Sequence, residues 1–241
     1  MYKNITLDNL EHEHVCCSIS GKDTGLMLKK EWLKERIKEG LVFRKLDERA
    51  KIFIEYLPSE SAFAPVEAPN YMYINCFWVS GKFKKLGHGK ALLDHCIEDA
   101  KEKGKSGVVV LSSKKKMPFL SDPKYLKSYG FKTADKALDY ELLYLTFDDS
   151  KPKFKSCVGQ ATGHVLYYSN QCPHTHKYVK LVKKIAEELE FPLEIIHIQT
   201  KEEAQNAPCP FTTYSLYLNG QFVTNEILTE KKFLELIKPL I

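Results

Sequence analysis

Tyr71-Met-Tyr-Ile-Asn-Cys-Phe-Trp-Val79 leads into Lys84-Lys-Leu-Gly87-His-Gly89-Lys90, and a helical pattern continues to Gly104. The first segment is an apolar strand. The second is a basic turn punctuated by glycines. In the third, Leu92, Leu93, Cys96, Ile97 and Ala100 share one helical face, opposite Asp94, Glu98, Asp99 and Lys101. Gly104 is the expected stop. Strand, glycine turn and helix in this order make an anion cradle: glycine lets the backbone approach closely, and the first helical N–H groups are unpaired. The helix dipole adds roughly half a positive charge there. The turn reads as a seat for a phosphate-bearing ligand.

Glycine spacing separates the candidate ligands. A Walker loop requires Gly, four residues, then Gly-Lys-Ser/Thr. Gly81 and Gly87 are one residue too far apart, and His88 stands where the lysine belongs. A dinucleotide loop requires G-x-G-x-x-G, and after Gly87 and Gly89 the third position is Leu92. The pattern Arg/Gln-x-x-Gly-x-Gly/Ala does fit, with Lys84 at the basic position. This resembles the pyrophosphate loop of the GNAT acetyltransferases. The preceding run is similar to the family's apolar-x-Val-x-Pro segment through Phe77 and Val79, with Gly81 in place of the proline. Downstream, Lys124-Tyr-Leu-Lys-Ser-Tyr-Gly130-Phe131 resembles the family's Phe-Tyr-x-x-x-Gly-Phe junction. Between the two motifs, Val108–Ser112 reads as a buried strand. The resemblance covers residues 1–148.

The remainder of the chain has a different grammar. Asp148–Lys155 is polar and carries a proline, so residues 149–160 read as a linker. His164–Tyr168 is a strand pattern. Cys172-Pro-His-Thr175 precedes a helix with Tyr178, Val179, Val182, Ile185, Ala186 and Leu189 inward, ended by Pro192. Leu193–Ile198 is a second strand pattern. Pro208-Cys-Pro210 follows, then Thr213–Leu218 and Gln221–Thr224 about Asn219-Gly220, a type I′ hairpin signal. Thr229 is placed to cap a last helix through Phe233, Leu236 and Ile237. The order resembles a thioredoxin-like domain over residues 161–241, with Cys172 at the first motif cysteine, Thr175 replacing the second and Pro210 at the position of the family's cis-proline. The two halves together are similar to GNAT proteins with a YoaP-type C-terminal extension. The expected fold is α/β (α+β): a mixed GNAT sheet flanked by helices, plus a smaller thioredoxin-like domain.

Composition sets bounds. At 241 residues with 44% hydrophobic content, the chain is long enough for one large or two ordinary cored domains. The net charge of +5 suits an anionic small ligand and gives no argument for nucleic acid; Lys114-Lys115-Lys116 reads as a solvated loop. No apolar run approaches ~20 residues, so no membrane span is expected. The N-terminus lacks a signal-peptide core, and seven irregularly spaced cysteines suit free thiols in a cytoplasmic protein.

The GNAT resemblance implies acetyl-CoA binding and transfer of the acetyl group to a primary amine of a small molecule or peptide; a homodimer is the candidate assembly. It implies the CoA pyrophosphate on the backbone of Lys85, Leu86, Gly87, His88, Gly89 and Lys90, with charge from Lys84 and Lys90. Pantetheine would follow the strand edge at Phe77, Trp78 and Val79, with a backbone N–H near Val79 on the acetyl oxygen. Ser113 would line the groove between two splayed strands. The family's usual acid is a tyrosine four residues before the motif glycine. Leu126 stands there, and Tyr125, one position off, is rotated by about 100° on a helix. Tyr125 is the candidate acid, with an amphipathic core residue as the competing reading. Glu55, in the strand pattern Ile52–Tyr56 and opposite in phase to Ile52 and Ile54, is the candidate base, against an exposed, solvated glutamate. Tyr73, Asn75 and the loop residue Glu67 are candidate substrate contacts.

Other constellations compete. His12, His14, Cys16 and Cys17 are dense, and His-x-His on a strand is a metal-site spacing, but no metal is assigned. Cys172 with His174 and His176 carries the same ambiguity. A helix N-terminus lowers a thiol pKa, so Cys172 is a candidate redox group, with Cys209 as a potential disulfide partner. A thiol-redox or thiol-sensing protein and a CoA-binding module without transfer are therefore the alternatives. Leu26, Leu28, Trp32, Leu33 and Ile37 recur at helical spacing within Gly21–Gly40, a stretch that flanks the acceptor cleft in the resembling family.

Overall fold

The computed structural model describes residues 1–18 and 23–241, so Gly21 lies outside the described residues. The first half runs β1 (Tyr2–Ile5), α1 (Thr24–Lys38), β2 (Val42–Leu46), β3 (Ile52–Pro58), β4 (Val66–Glu67), β5 (Tyr71–Val79), α2 (His88–Glu102), β6 (Gly107–Ser113), α3 (Pro123–Ser128), β7 (Lys132–Ala137) and β8 (Tyr140–Thr146). Seven of these strands form one sheet in the order β1-β2-β3-β5-β6-β8-β7. β5 and β6 are its parallel pair; the other pairings are antiparallel. Strand periodicity of two sends Ile52, Ile54, Met72 and Ile74 to one face, under α2 and α3, and Phe53, Leu57, Tyr71 and Tyr73 to the other. α2 buries Leu92, Leu93, Cys96 and Ala100, as its spacing predicts. It stops where Gly104 turns left-handed (φ 62°) and Lys105 N–H donates to the Ala100 carbonyl at 2.9 Å.

The chain then crosses through β9 (Lys153–Phe154), which pairs with β4. The Asp148–Lys155 stretch is therefore pinned rather than free: Tyr71 Oη donates to the Ser150 carbonyl at 2.9 Å and Phe154 N–H donates to Asp135 Oδ2 at 2.9 Å. Beyond it lie β10 (Val165–Tyr168), α4 (Thr175–Glu188), β11 (Glu194–His197), α5 (Lys201–Gln205), β12 (Tyr214–Leu218), β13 (Gln221–Thr224) and α6 (Glu230–Ile237). The second sheet has the order β11-β10-β12-β13, with β10 and β11 parallel. Asn219 and Gly220 both have positive φ (50° and 72°), the conformation a type I′ turn needs. Leu189 is exposed rather than inward, because α4 ends at Glu188 and the chain turns away. Thr229 occupies the cap position of α6, but its side chain makes no capping hydrogen bond.

The two halves share a core. Val165, Tyr167, Ile198, Cys209, Phe211 and Tyr217 pack in one cluster with Trp32, Leu33, Phe63 and Tyr73, on the α1 face of the large sheet. Polar ties reinforce the seam: Asn225 Nδ2 donates to the Pro118 carbonyl at 2.8 Å, and Gln205 Nε2 to the Glu60 carbonyl at 2.9 Å. The closest approach is at Gly25 in α1, where a β-carbon would stand 2.0 Å from the Pro173 carbonyl oxygen. Only a residue without a side chain fits there. No helix of the described residues is long and apolar enough to cross a membrane.

Candidate active site

The site begins where β5 and β6 part. Their ladder runs from Tyr71↔Gly107 to Ile74↔Val110 and stops. β5 continues to Val79 along β3, while β6 continues to Ser113 along β8. A bulge on β5 marks the fork: Glu55 faces Cys76 and Tyr56 faces Ile74, so Asn75 is the extra residue. Beyond it, the β6-side backbone of Cys76–Val79 has no ladder partner. The fork opens into a narrow cleft with about 20 Å³ of free space, room for about one water.

At one end of the fork is the glycine turn. Gly87, left-handed at φ 81°, is the N-cap of α2 and offers no side-chain cap, so the helical N–H groups of His88, Gly89 and Lys90 face outward. A β-carbon on Gly89 would come within 2.9 Å of Tyr125 Oη, so the absence of a side chain keeps this cradle open. Lys84, Lys85 and Leu86 are exposed. Lys90 is paired with Asp94 at 2.8 Å, which offsets the charge expected from it. His88 Nδ1 is hydrogen-bonded to Tyr2 Oη at 2.7 Å.

α3 joins the two sequence motifs. Its start is set by Asp122, whose carboxylate accepts from Lys124 N–H at 2.8 Å, and by Pro123 in the first turn. The one-residue rotation has the predicted effect: Leu126 is buried under the sheet, while Tyr125 reaches the turn, with its ring 5.9 Å from Phe77 and its hydroxyl against Gly89. Burial pushes the Tyr125 hydroxyl pKa up, and neighbouring Tyr129 raises it further, so it remains protonated at neutral pH.

At the other end of the fork, Tyr73 and Asn75 line the cleft. Glu55 is not the solvated residue of the competing reading. It is 1% exposed and its Oε2 accepts from Lys29 Nζ at 2.7 Å, with Lys29 equally buried. Asn75 Nδ2 donates to Glu55 Oε1 at 3.3 Å, while Asn75 Oδ1 is buried with no partner among the described residues. Lys29 also lies 4.2 Å from the centre of the Trp32 ring. Its involvement was legible: Lys29 is three residues after Leu26 and four before Leu33, on the inward stripe of α1.

The opposite wall of the cleft comes from the second half of the chain: Gln171 and Pro210–Thr213. Gln171 Nε2 donates to the carbonyl of Asn75 at 3.3 Å. These residues were not anticipated, because nothing in a single sequence registers a loop near residue 210 against a strand near 75.

Several expectations are corrected. Ser113 is fully buried, faces Tyr140 on β8 and donates to the Lys115 carbonyl, so Val110 and Leu111 line the groove in its place. Glu67 lies in β4, paired with Lys153 at 3.3 Å. His12 and His14 lie in a turn and coil, not on a strand, and His14 Nε2 is hydrogen-bonded to the Ala50 carbonyl. Among the described residues no group of three metal-ligating side chains occurs. All seven cysteines are free. Burial pushes the Cys172 thiol up to about 11, outweighing a hydrogen bond from the His174 backbone and the Lys29 charge. Cys209 is sealed in the core near Cys157 and Ser215 rather than against Cys172. No peptide bond among the described residues is cis, so Pro210 lacks that feature of the thioredoxin-like pattern.

The sequence matches the acetyltransferase (GNAT) family over residues 8–119 and the YoaP-like family over residues 192–235. It is 44% identical, over 99% of both chains, to an uncharacterized N-acetyltransferase, YoaP, of Bacillus subtilis (strain 168). Among solved structures it resembles an acetyltransferase of the GNAT family from Staphylococcus aureus Mu50, with 16% identity, 61% of this chain, 100% of that chain and a TM-score of 0.43. It also resembles a GNAT family acetyltransferase from Brucella melitensis in complex with acetyl-CoA, with 13% identity, 64% of this chain, 92% of that chain and a TM-score of 0.42.

Proposed function

The chain belongs to the GNAT acetyltransferase family and carries a YoaP-like C-terminal region; from that premise we propose how its residues divide the work of moving an acetyl group from acetyl-CoA to an amine. The enzyme is an N-acetyltransferase with acetyl-CoA as cosubstrate. The observation that carries the site reading is the β5–β6 fork with an uncapped glycine turn beside it. The N–H groups of residues 85–90 hold the pyrophosphate, assisted by Lys84 and Lys85. The open edge at Phe77, Trp78 and Val79 holds the pantetheine amides.

In the transfer the amine nitrogen gains a bond to the acetyl carbon and the carbon–sulfur bond breaks. One proton leaves the nitrogen and one reaches the sulfur. Tyr125, protonated and adjacent to Phe77, is our acid for the sulfur. A backbone N–H at the bulged end of β5 polarises the acetyl oxygen. Glu55 acts indirectly. Its oxygens are engaged by Lys29 and Asn75, so it orients the Asn75 amide at the fork. The amine enters neutral.

For the second half we propose a thioredoxin-like domain over residues 161–241, joined by residues 149–160 to an acetyl-CoA-binding domain over 1–148. The strand order β11-β10-β12-β13 with α4 as the crossover supports it. Its high thiol pKa at Cys172 favours a structural over a redox role. Seven free thiols support a cytoplasmic setting.

Calorimetric titration of acetyl-CoA tests the cradle. The wild type should bind at micromolar concentration, and Gly87→Asp, which puts a carboxylate where phosphate belongs, should weaken binding at least tenfold. Absence of binding by the wild type at high micromolar acetyl-CoA would defeat the proposal.

A further inference from the structure

The glycine turn has a shape that is demanding to hold. Between Phe83 and His88, two residues adopt the left-handed region: Gly87 at φ 81° and Lys85, which carries a β-carbon, at φ 65°. The second is uncommon for a residue other than glycine, and such backbone persists only where its surroundings over-determine it. The turn does not supply that hold itself. Lys84, Lys85, Leu86 and Gly87 are exposed, and no backbone hydrogen bond reaches Lys85 or Leu86 among the described residues.

Its two ends meet at one imidazole. The His88 ring, in the first residue of α2, contacts Phe83 and Tyr2 edge-on, each with centroids 6.0 Å apart. Phe83 is the last residue of the short helical turn before the glycine segment, so the contact joins the residues on either side of it. Tyr2 Oη, 2.7 Å from His88 Nδ1, then ties both to β1. Tyr2 is itself fixed. Its backbone pairs with Leu46 of β2, and the Arg44 guanidinium, which donates to Asn4 Oδ1 at 2.9 Å, lies 5.6 Å from the centre of its ring. Burial raises the Tyr2 hydroxyl pKa against the lowering effect of Arg44, so the hydroxyl keeps its proton at neutral pH. A phenol donates to the bare nitrogen of a neutral imidazole, which leaves the imidazole proton on Nε2.

We propose that Tyr2 is a positioning residue for acetyl-CoA: by donating to His88 Nδ1 it holds the start of α2, and with it the left-handed turn, in the shape that presents N–H groups to the pyrophosphate. The edge strand β1, three places from β5 in the sheet, thereby belongs to the cosubstrate site. What Tyr2 supplies is preorganisation of the donors, away from the reacting atoms. Its loss therefore acts on acetyl-CoA affinity and leaves the transfer step alone. The inference rests on the placement of the pyrophosphate on this turn.

The test is calorimetric titration of acetyl-CoA into the wild type, Tyr2→Phe, His88→Leu and the double variant, with kcat at saturating acetyl-CoA read on a panel of primary amines. Tyr2→Phe keeps the ring and removes only the hydroxyl. It should raise the Kd and KM for acetyl-CoA about fivefold and leave kcat unchanged. The double variant leaves neither partner unpaired and should bind no more weakly than the weaker single variant. General loosening of the fold would instead give additive losses and lower kcat as well. Nitrogen-15 spectra of the neutral His88 imidazole should place its proton on Nε2 in the wild type and show both tautomers in Tyr2→Phe. Wild-type affinity in Tyr2→Phe, additive losses in the double variant, a kcat that falls with affinity, or a wild-type proton on Nδ1 would overturn the proposal. A wild type that does not bind acetyl-CoA, or a Gly87→Asp variant that binds it as tightly as the wild type, would instead mark failure of the cradle reading on which the inference rests.

Discussion

Replacing Gly25 by alanine probes the seam on which the cleft depends. Gly25 lies in the first turn of α1, and the added β-carbon would stand 2.0 Å from Pro173 O and 3.1 Å from Pro173 C. Ordinary contact begins at 3.4 Å, so helix and loop must separate by 3.4 − 2.0 = 1.4 Å. Both partners are backbone, so no rotamer change relieves the clash. Overpacking of this kind costs about 1–3 kcal/mol. For a chain of this length each kcal/mol corresponds to about 2–4 °C, so the melting temperature should fall by about 2–12 °C. The displacement also acts at a distance. Lys29 sits one turn further along α1 and pairs with Glu55, which in turn orients Asn75. The KM for the amine should therefore rise while the Kd for acetyl-CoA, bound at the far end of β5, remains unchanged. Thermal melting, amine saturation kinetics and calorimetry on the same preparation measure all three. A variant that melts with the wild type and saturates at the same amine concentration would refute the close docking of Pro173 on α1.

Four further outcomes are expected. Tyr125→Phe should lower kcat about 100-fold with little change in acetyl-CoA affinity; an unchanged kcat at neutral pH would remove Tyr125 from the proton transfer. Glu55→Gln leaves the Lys29 ammonium buried without its partner and should cost about 3–5 kcal/mol in denaturant titrations, much of it recovered in the double variant with Lys29→Met; additive losses would contradict a coupled pair. At pH 8, Cys172 in the native protein should react with iodoacetamide about two orders of magnitude more slowly than a free cysteine, because burial holds its pKa at about 11; labelling at the free-cysteine rate would revive a thiol function. Burial raises the Glu13 carboxyl pKa, but hydrogen bonds from Lys3 and Lys45 outweigh it and hold the group at about 2, below its usual 4.5. Its contribution to stability is therefore present above pH 4.5 and lost as pH falls toward 2; Glu13→Gln should flatten the stability profile in that window, and an unaltered slope would speak against the pairing.

The parts of this molecule that local sequence dictates were readable. Lys84, Gly87 and Gly89 define a turn by spacing alone, and Leu92 to Ala100 define the helix that follows. Asn219-Gly220 demands positive φ at two successive residues and obtains it. Leu126 and Tyr125 were distinguished by helical rotation, and their burial follows it. What escaped depends on contacts between distant segments. Glu55 has the alternation of a strand residue, but whether its face meets water is decided by Lys29, 26 residues away. Ser113 was placed in the groove by its position after the strand, yet β8 claims it. Gln171 and Phe211 join the cleft only because Gly25 lets the second half approach α1. Cys172 shows competing effects: the His174 backbone N–H lowers its thiol pKa, and burial raises it more.

The most direct test is amine-dependent release of CoA from acetyl-CoA by the wild type and by Gly89→Asp, with a panel of primary amines as acceptors. In the variant the new side chain enters the space against Tyr125 Oη beside the phosphate cradle. Release that requires the amine and disappears in Gly89→Asp is the predicted result. Binding of acetyl-CoA without amine-dependent release, or release that survives Gly89→Asp, would contradict the account.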